Sequence, residues 1–343
     1  MAPAADWQAQ WDKTVAAAKQ EGALTIDLNP GDLYQVWMRD FQKAYPEIKL
    51  EAPQLIGRDF VARILPERQA GKFAWDAYIG GSESGTGGLK PAGALDPLQP
   101  ALLLPEILDD SKWVGGFAAG FTDKEGQYVY DVEGDVIPTV YINRDVIPES
   151  QLSRIEDLTD PKWRGKMSIF DPRGAGNGAA TGGHWIMAKG ADWWRELLNQ
   201  QPAVTLDRRQ QIEWVIRGQY PIALAGSNTV LPEFQNQGVG KNVKPLGFDT
   251  DMGRRLNQSV NIALINKRPH PNAAAVFVNW ALSKDGQASY VNALQESSRR
   301  LDVPKGPAET PPQPHVKYLP SVNAEANSHF VNDASQIAKE IIK

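Results

Sequence analysis

The feature that most constrains this chain is the alternation that runs from residue 23 to about residue 80. Ala23-Leu24-Thr25-Ile26-Asp27-Leu28 reads as a strand, and the turn residues Asn29-Pro30-Gly31-Asp32 follow it. Leu33, Val36, Trp37, Phe41 and Ala44 then recur at helical spacing and stop before Pro46. Asp32, with Gln35 three residues on, has the form of a capping box at the start of that helix. A second strand over 48–52, a helix over 59–70 ending at Gly71 and a third strand over 74–79 complete the pattern. Strand, helix, strand, helix, strand in so short a span predicts βαβ units, hence an α/β fold with a mostly parallel sheet. Ligands of such sheets sit beyond the carboxyl ends of the strands. The loops at 29–32, 56–59 and 80–88 leave those ends.

The pattern restarts later. Residues 128–132 and 136–142 are strand-like, with a Gly134-Asp135 turn between them. A strand over 167–170 enters the loop Asp171-Pro172-Arg173-Gly174-Ala175-Gly176-Asn177-Gly178, which leads into a helix through about residue 188. A strand over 221–225 ends in Gly226-Ser227-Asn228-Thr229, and residues 259–265 form a strand that returns the chain to the first unit. A helix precedes everything, with Trp7, Trp11, Val15 and Ala18 on one face, and another closes the chain near 332–342, after a Pro-rich connector at 304–314. The 343 residues are enough for two domains, and 42% hydrophobic residues supply two cores.

What is missing narrows the chemistry. There is no cysteine, so disulfides, thiolate nucleophiles and Cys-based metal sites are excluded together. The net charge of −5 contains no long run of one sign, so no basic face for nucleic acid is expected. No apolar stretch is long enough to span a bilayer. No G-x-S-x-G or H-E-x-x-H motif is present, and pairs such as Asp249 and Asp251 read as solvated surface, so catalysis is not expected. The four histidines are scattered, and His270 reads as a loop residue. No cofactor is expected.

The candidate ligand groups lie at strand ends. Gly174, Gly176 and Gly178 precede a helix whose first N–H groups lack helical partners, which suits a carboxylate, phosphate or phosphonate. Arg173 offers a forked cation there. A tight turn that needs glycine is the plainer reading of the same residues. Ser227, Asn228 and Thr229 offer small donors at another strand end, and Asn29, Pro30, Gly31, Gly81 and Ser82 offer similar groups from the first unit. Arg58 is either an anion anchor or a solvated arginine at a helix start. Arg254 and Arg255 face either the ligand or water. Tyr141 lies behind the ligand or in the core. Most of the eleven tryptophans sit at helical spacings and belong to the core.

Several landmarks carry a family resemblance. Asp160-Pro161-Lys162-Trp163-Arg164-Gly165-Lys166 followed by Phe170-Asp171-Pro172, then His270-Pro271-Asn272-Ala273-Ala274, then Arg300-Leu301-Asp302-Val303, resemble segments of periplasmic solute-binding proteins in the ferric-iron, thiamine and polyamine group. Glu67-Arg68-Gln69-Ala70-Gly71-Lys72 and Tyr141-Ile142-Asn143 also fit. The resemblance implies the two-lobed type II periplasmic-binding fold, with lobe 1 over 1–136 and 265–343, lobe 2 over 137–264, and hinge strands near 136–142 and 259–265. It implies a monomeric, periplasmic receptor that closes on a small ligand and delivers it to the membrane permease of an ABC transporter. A sensory module that presents its ligand to a receptor has the same outline. The N-terminus holds no intact signal peptide, which fits a mature exported form and a cytoplasmic protein equally. Ferric members bind metal through adjacent tyrosines after the strand matching 221–225, but no tyrosine lies between Tyr220 and Tyr290 here. The replacements favour a small polar organic anion, and a ferric receptor with a non-standard ligand set is the alternative.

Overall fold

The computed structural model describes residues 6–174, 176–227, 230–247, 252–256, 259–304, 306 and 318–343. The chain divides into two units, Met1–Asp135 with Asn257–Pro312, and Val136–Leu256 with Gln313–Lys343.

The first unit begins with helix α1 (Asp6–Glu21) and strand β1 (Ala23–Leu28), followed by α2 (Asp32–Ala44), β2 (Lys49–Glu51), α3 (Gly57–Gln69) and β3 (Ala77–Gly80). A short turn of helix, α4 (Ser82–Ser84), then leads to β4 (Leu95–Asp96) and β5 (Tyr130–Asp131). As the alternation predicts, β2, β1 and β3 run parallel, Ala23 facing Lys49 and Ile26 facing Ala77. Leu24, Ile26 and Leu28 point into a core with Trp37, Phe41 and Phe277, so the alternate positions of one strand anchor the unit. The expected capping box does not form. Gly31 is the N-cap of α2, no side chain caps it, and Gln35 donates instead to the Ala52 carbonyl at 3.0 Å.

The second unit holds β6 (Val136–Pro138), β7 (Val140–Asn143), β8 (Met167–Phe170), α5 (Asn177–Lys189), α6 (Ala191–Leu198), β9 (Ala203–Thr205), α7 (Arg208–Ile216), β10 (Ile222–Leu224), α8 (Val230–Asn236), β11 (Val243–Pro245) and β12 (Arg254–Leu256). Its main sheet has the order β11-β7-β10-β8-β9, with β8 parallel to both neighbours. The expected strand over 136–142 is two strands. Pro138 has no N–H for a ladder, and Thr139 is where the chain changes partner: its N–H donates to the Gly253 carbonyl, beside β12, and its carbonyl accepts from the Ala225 N–H, beside β10. Thus β6 pairs with β12, while β7 pairs with β10 and β11.

The remaining elements are β13 (Asn261–Ile265), α9 (Pro271–Leu282), α10 (Lys284–Leu294) and α11 (Ser328–Ile341). Here the observed division departs from the expected lobes. Strand β13, all five residues buried, lies inside the first unit's sheet between β3 and β4. The closing helix α11, expected in the first unit, belongs to the second. Its Ala334, Ile337 and Ala338 are buried in that unit's core, and a Cβ at Gly183 of α5 would come within 2.9 Å of the Phe330 backbone. Two adjacent glycines let the helices meet at backbone distance, which sequence periodicity does not reveal.

The family landmarks are structural. Asp160 accepts from the Lys162 N–H at 3.0 Å and Trp163 is buried behind it. Arg68 holds the Asn266 carbonyl at 2.8 Å. His270 is tied to the buried Asp76, which accepts from its N–H and meets its Nδ1 at 2.9 Å, as well as from the Thr25 N–H. The start of α9 is capped from far along the chain by Glu21, whose two oxygens accept from the N–H groups of Asn272 (3.1 Å) and Ala273 (2.7 Å). Glu21→Ala leaves these donors without their carboxylate, and a loss of about 1–2 kcal/mol is expected in denaturant unfolding.

Candidate functional site

In the second unit, the loop after β8 turns on Asp171 and Arg173. The Arg173 N–H donates to Asp171 Oδ1 at 2.9 Å, and its guanidinium closes on the same carboxylate at 2.8 Å. This pairing holds the Asp171 carboxyl below its ordinary range. Arg173 therefore fastens its own turn. Gly174 and Gly176 are exposed, with no atom within 4 Å of where a side chain would begin. Gly176 has φ 137° and is the N-cap of α5, a conformation that suits glycine. Gly178 serves a different end: a Cβ there would lie 2.2 Å from the Phe170 carbonyl, so α5 presses directly onto the strand end.

Asn177 opens α5 and joins two remote segments. Its Oδ1 accepts from Nη2 of Arg255, and its Nδ2 donates to the Ala225 carbonyl at 2.8 Å. Arg255 is 5% exposed and stands on β12. Arg254, the next residue along the strand, points the other way, as a strand requires, with Nη1 3.4 Å from the Tyr318 hydroxyl. The loop carrying these arginines is held by Thr139 Oγ1 and Trp185 Nε1, both donating to the Met252 carbonyl at 2.7 and 3.2 Å. A guanidinium and the first turn of a helix thus converge, and both favour negative charge.

Ser227 accepts the Val230 N–H at 3.3 Å on its Oγ, so it caps α8. Tyr141 is a core residue, packed with Ile212, Val215 and Leu231, and its ring lies against Gly226, where a Cβ would stand 2.8 Å from Cδ2. Asn228 and Thr229 lie outside the described residues, as do Ala175, Asp249 and Asp251.

The first unit brings a different group together. Asn29 Nδ2 donates to the Ser259 carbonyl at 3.1 Å and lies 3.4 Å from the Tyr34 hydroxyl. Ser259 in turn donates to the buried Glu133, through N–H at 2.8 Å and Oγ at 2.6 Å. Glu296 accepts the Tyr290 hydroxyl at 2.7 Å. Burial, with Glu133 and Asp135 adding their charge, pushes the Glu296 carboxyl up to about 8. Carboxyl groups thus stand beside the Asn29 donor in the first unit. Arg58 does not change that: its side chain is 84% exposed and pairs loosely with Asp59 at 3.5 Å, the solvated reading of that residue. Pro30 and Gly31 are exposed, and Gln54 holds the Gly31 carbonyl at 2.7 Å. Gly81 is the N-cap of α4 with an ordinary negative φ, and Ser82 is buried behind it. Sequence reasoning missed Glu133 and Glu296 because isolated acids read as surface.

Residues 27–288 match the sequence profile of the bacterial extracellular solute-binding proteins. The chain belongs to that family. Members are solute-binding proteins as a class, which implies a small ligand passed to a permease. Among solved structures, the chain is similar to a Trichodesmium protein (IdiA, FutA) in complex with iron and citrate, at 19% identity and TM-score 0.71, covering 94% of this chain and 99% of that one. It is similar to iron-bound HitA from Pseudomonas aeruginosa, at 18% identity and TM-score 0.67, covering 92% and 99%. It is also similar to the periplasmic binding protein AfuA from Actinobacillus pleuropneumoniae with exogenous fructose-6-phosphate bound, at 17% identity and TM-score 0.60, covering 93% and 99%. At these identities the likeness is one of fold, and it is the type II periplasmic-binding fold expected from the sequence landmarks. Among the described residues no helix is long and apolar enough to cross a membrane.

Proposed function

We propose that this family member is the periplasmic, monomeric substrate-binding component of an ABC importer, and that its ligand is a small polar organic anion. The observation that carries the anion is Arg255, a nearly buried guanidinium bonded to the first residue of α5. A helix of this length presents partial positive charge at that end, and the planar fork of arginine matches carboxylate or phosphoryl oxygens. The structure of AfuA with fructose-6-phosphate gives one example of a phosphorylated ligand on this fold. Iron is the weaker reading, because Ala225-Gly226-Ser227 supplies no anionic oxygen at the loop after β10.

The test is a thermal-shift panel of inorganic phosphate, methylphosphonate, acetate, fructose 6-phosphate and Fe(III). At 100 times Kd a binding anion should add about 2.7 kcal/mol to stability. Arg255→Ala should then weaken that anion about 10- to 100-fold by calorimetry, the equivalent of one charged hydrogen bond. Closure on the ligand, as expected of these receptors, predicts a smaller radius of gyration by X-ray scattering when ligand is added. Stabilisation and colour with Fe(III) alone would replace this reading with the ferric one.

A further inference from the structure

Asn177 deepens the proposed anion site, and the inference rests on that reading. We infer that Asn177 is a positioning residue: it aims the Arg255 guanidinium and holds the loop after β10 in a strained turn, so that both face the start of α5.

The geometry makes this specific. Asn177 stands at the first position of α5, directly after Gly176. Its amide is used at both ends, Oδ1 by Arg255 and Nδ2 by the Ala225 carbonyl. An amide is the side chain that accepts at one atom and donates at the other in this arrangement. Ala225 has φ 52°, the left-handed region that residues with a Cβ rarely occupy. Such strain persists where surrounding bonds over-determine it, and it collects at functional loops. Two bonds hold Ala225: its N–H donates to the Thr139 carbonyl at 2.8 Å, and its carbonyl accepts from Asn177 at 2.8 Å. Thr139 also fixes the Met252 and Gly253 carbonyls, directly before Arg254 and Arg255. One amide and one threonine therefore tie together the β10 loop, the arginine strand and the helix start. Gly226, next in the loop, is laid flat on the Tyr141 ring, so the turn has no room to relax in that direction.

The chemistry separates positioning from plain support. Asn177→Asp keeps the shape and still accepts from Arg255, now as a full ion pair, but it has no N–H to give the Ala225 carbonyl. The carboxylate neutralises the guanidinium and places negative charge at the helix start, where the anion is to sit. Asn177→Asp is therefore expected to lose melting temperature as Asn177→Ala does, in part offset by its ion pair with Arg255, and to bind the stabilising anion of the panel at least about 10-fold more weakly. Asn177→Ala should lose both melting temperature and affinity. Adding Ala225→Gly to Asn177→Ala removes the strain and should recover melting temperature, while affinity stays low because Arg255 is still not aimed.

Wild-type affinity in Asn177→Ala would overturn the positioning role, and wild-type affinity in Asn177→Asp would overturn the placing of the anion at the start of α5. An unchanged melting temperature in Asn177→Ala, or no recovery on adding Ala225→Gly, would overturn the clamp on Ala225; neither result touches the anion reading. If none of inorganic phosphate, methylphosphonate, acetate or fructose 6-phosphate stabilises the wild type, the anion reading falls and the positioning role falls with it. The clamp then stands or falls on the melting temperatures alone.

Discussion

Replacing Arg300 by methionine is expected to destabilise the first unit by about 2–3 kcal/mol, the scale of its lost charged hydrogen bonds. The side chain is fully buried. Its Nε donates to Asp302 Oδ1 at 2.7 Å, its Nη1 to the Leu282 carbonyl at 2.9 Å and its Nη2 to Glu106. The guanidinium also lies 5.6 Å from the centre of the Trp113 ring. Methionine keeps most of the volume but removes the donors, leaving two carboxylates and a carbonyl short of their partner. Glu106 and Asp302 keep 41% and 25% of their side-chain surface in solvent, so water recovers part of that loss. The loss spreads further because Glu106 also accepts the Lys284 N–H at 3.2 Å at the start of α10. Guanidinium unfolding should show a lower midpoint at an unchanged slope for the unit's transition, with Lys43→Met, an exposed change, as control. A shift below 1 kcal/mol would show that the pairs only offset their own desolvation.

Asp27→Asn is expected to do the opposite, and only where the carboxyl would be charged. Asp27 lies in β1, fully buried, with no side-chain partner among the described residues and only the backbone of Leu28 and Leu55 beside its carboxyl. Burial pushes its carboxyl up to about 8, and the backbone N–H groups of Leu55 and Leu28, with the charge of Arg63, offset that only in part. In the unfolded chain an aspartate titrates near 3.9, so the native state holds the proton more tightly. The folded state is therefore favoured most below about pH 4, and the advantage drains away as pH rises to about 8. At about 1.4 kcal/mol per unit over about three units, the cost at pH 7 approaches 4 kcal/mol. Asparagine removes the ionisation and keeps the shape. Its melting temperature should match wild type near pH 4 and exceed it by a widening margin through pH 8. Glu296, raised to about 8 as well, works in the same direction and leaves part of the slope in the variant. Parallel curves across that range would show that Asp27 is not protonated in the native state.

Asp27 also shows where a linear reading stops. In sequence it is one polar residue in an apolar strand, which alternation assigns to the solvent side. It is buried because the second face of β1 is covered as well, by the cluster of Phe60, Ile64 and Tyr78. A strand buried on both faces has no polar side, and only the layer above it reveals this. The site follows the same rule. The glycines before α5 were legible, since a strand end, a turn and a helix start are adjacent in the chain. Arg173 is legible too, but its pairing with Asp171 is not read from the sequence. Arg254 and Arg255 were left open between ligand and water, and only the pairing of β12 with β6 separates them.

The sequence by itself determined the α/β alternation, the strand-end loops and the family landmarks. Each depends on residues within a few positions of one another, where periodicity, turn chemistry and spacing act directly. The tertiary structure decided the rest. It moved α11 into the second unit through two glycines, broke the 136–142 strand at Pro138 and Thr139, and gathered Glu133 against Ser259, 126 residues away. It also set Arg255 on Asn177 across 78 positions. Such contacts follow from which strands pair and which faces are covered. The charge and hydrogen-bonding state of a side chain is fixed by that enclosure, not by its neighbours in sequence.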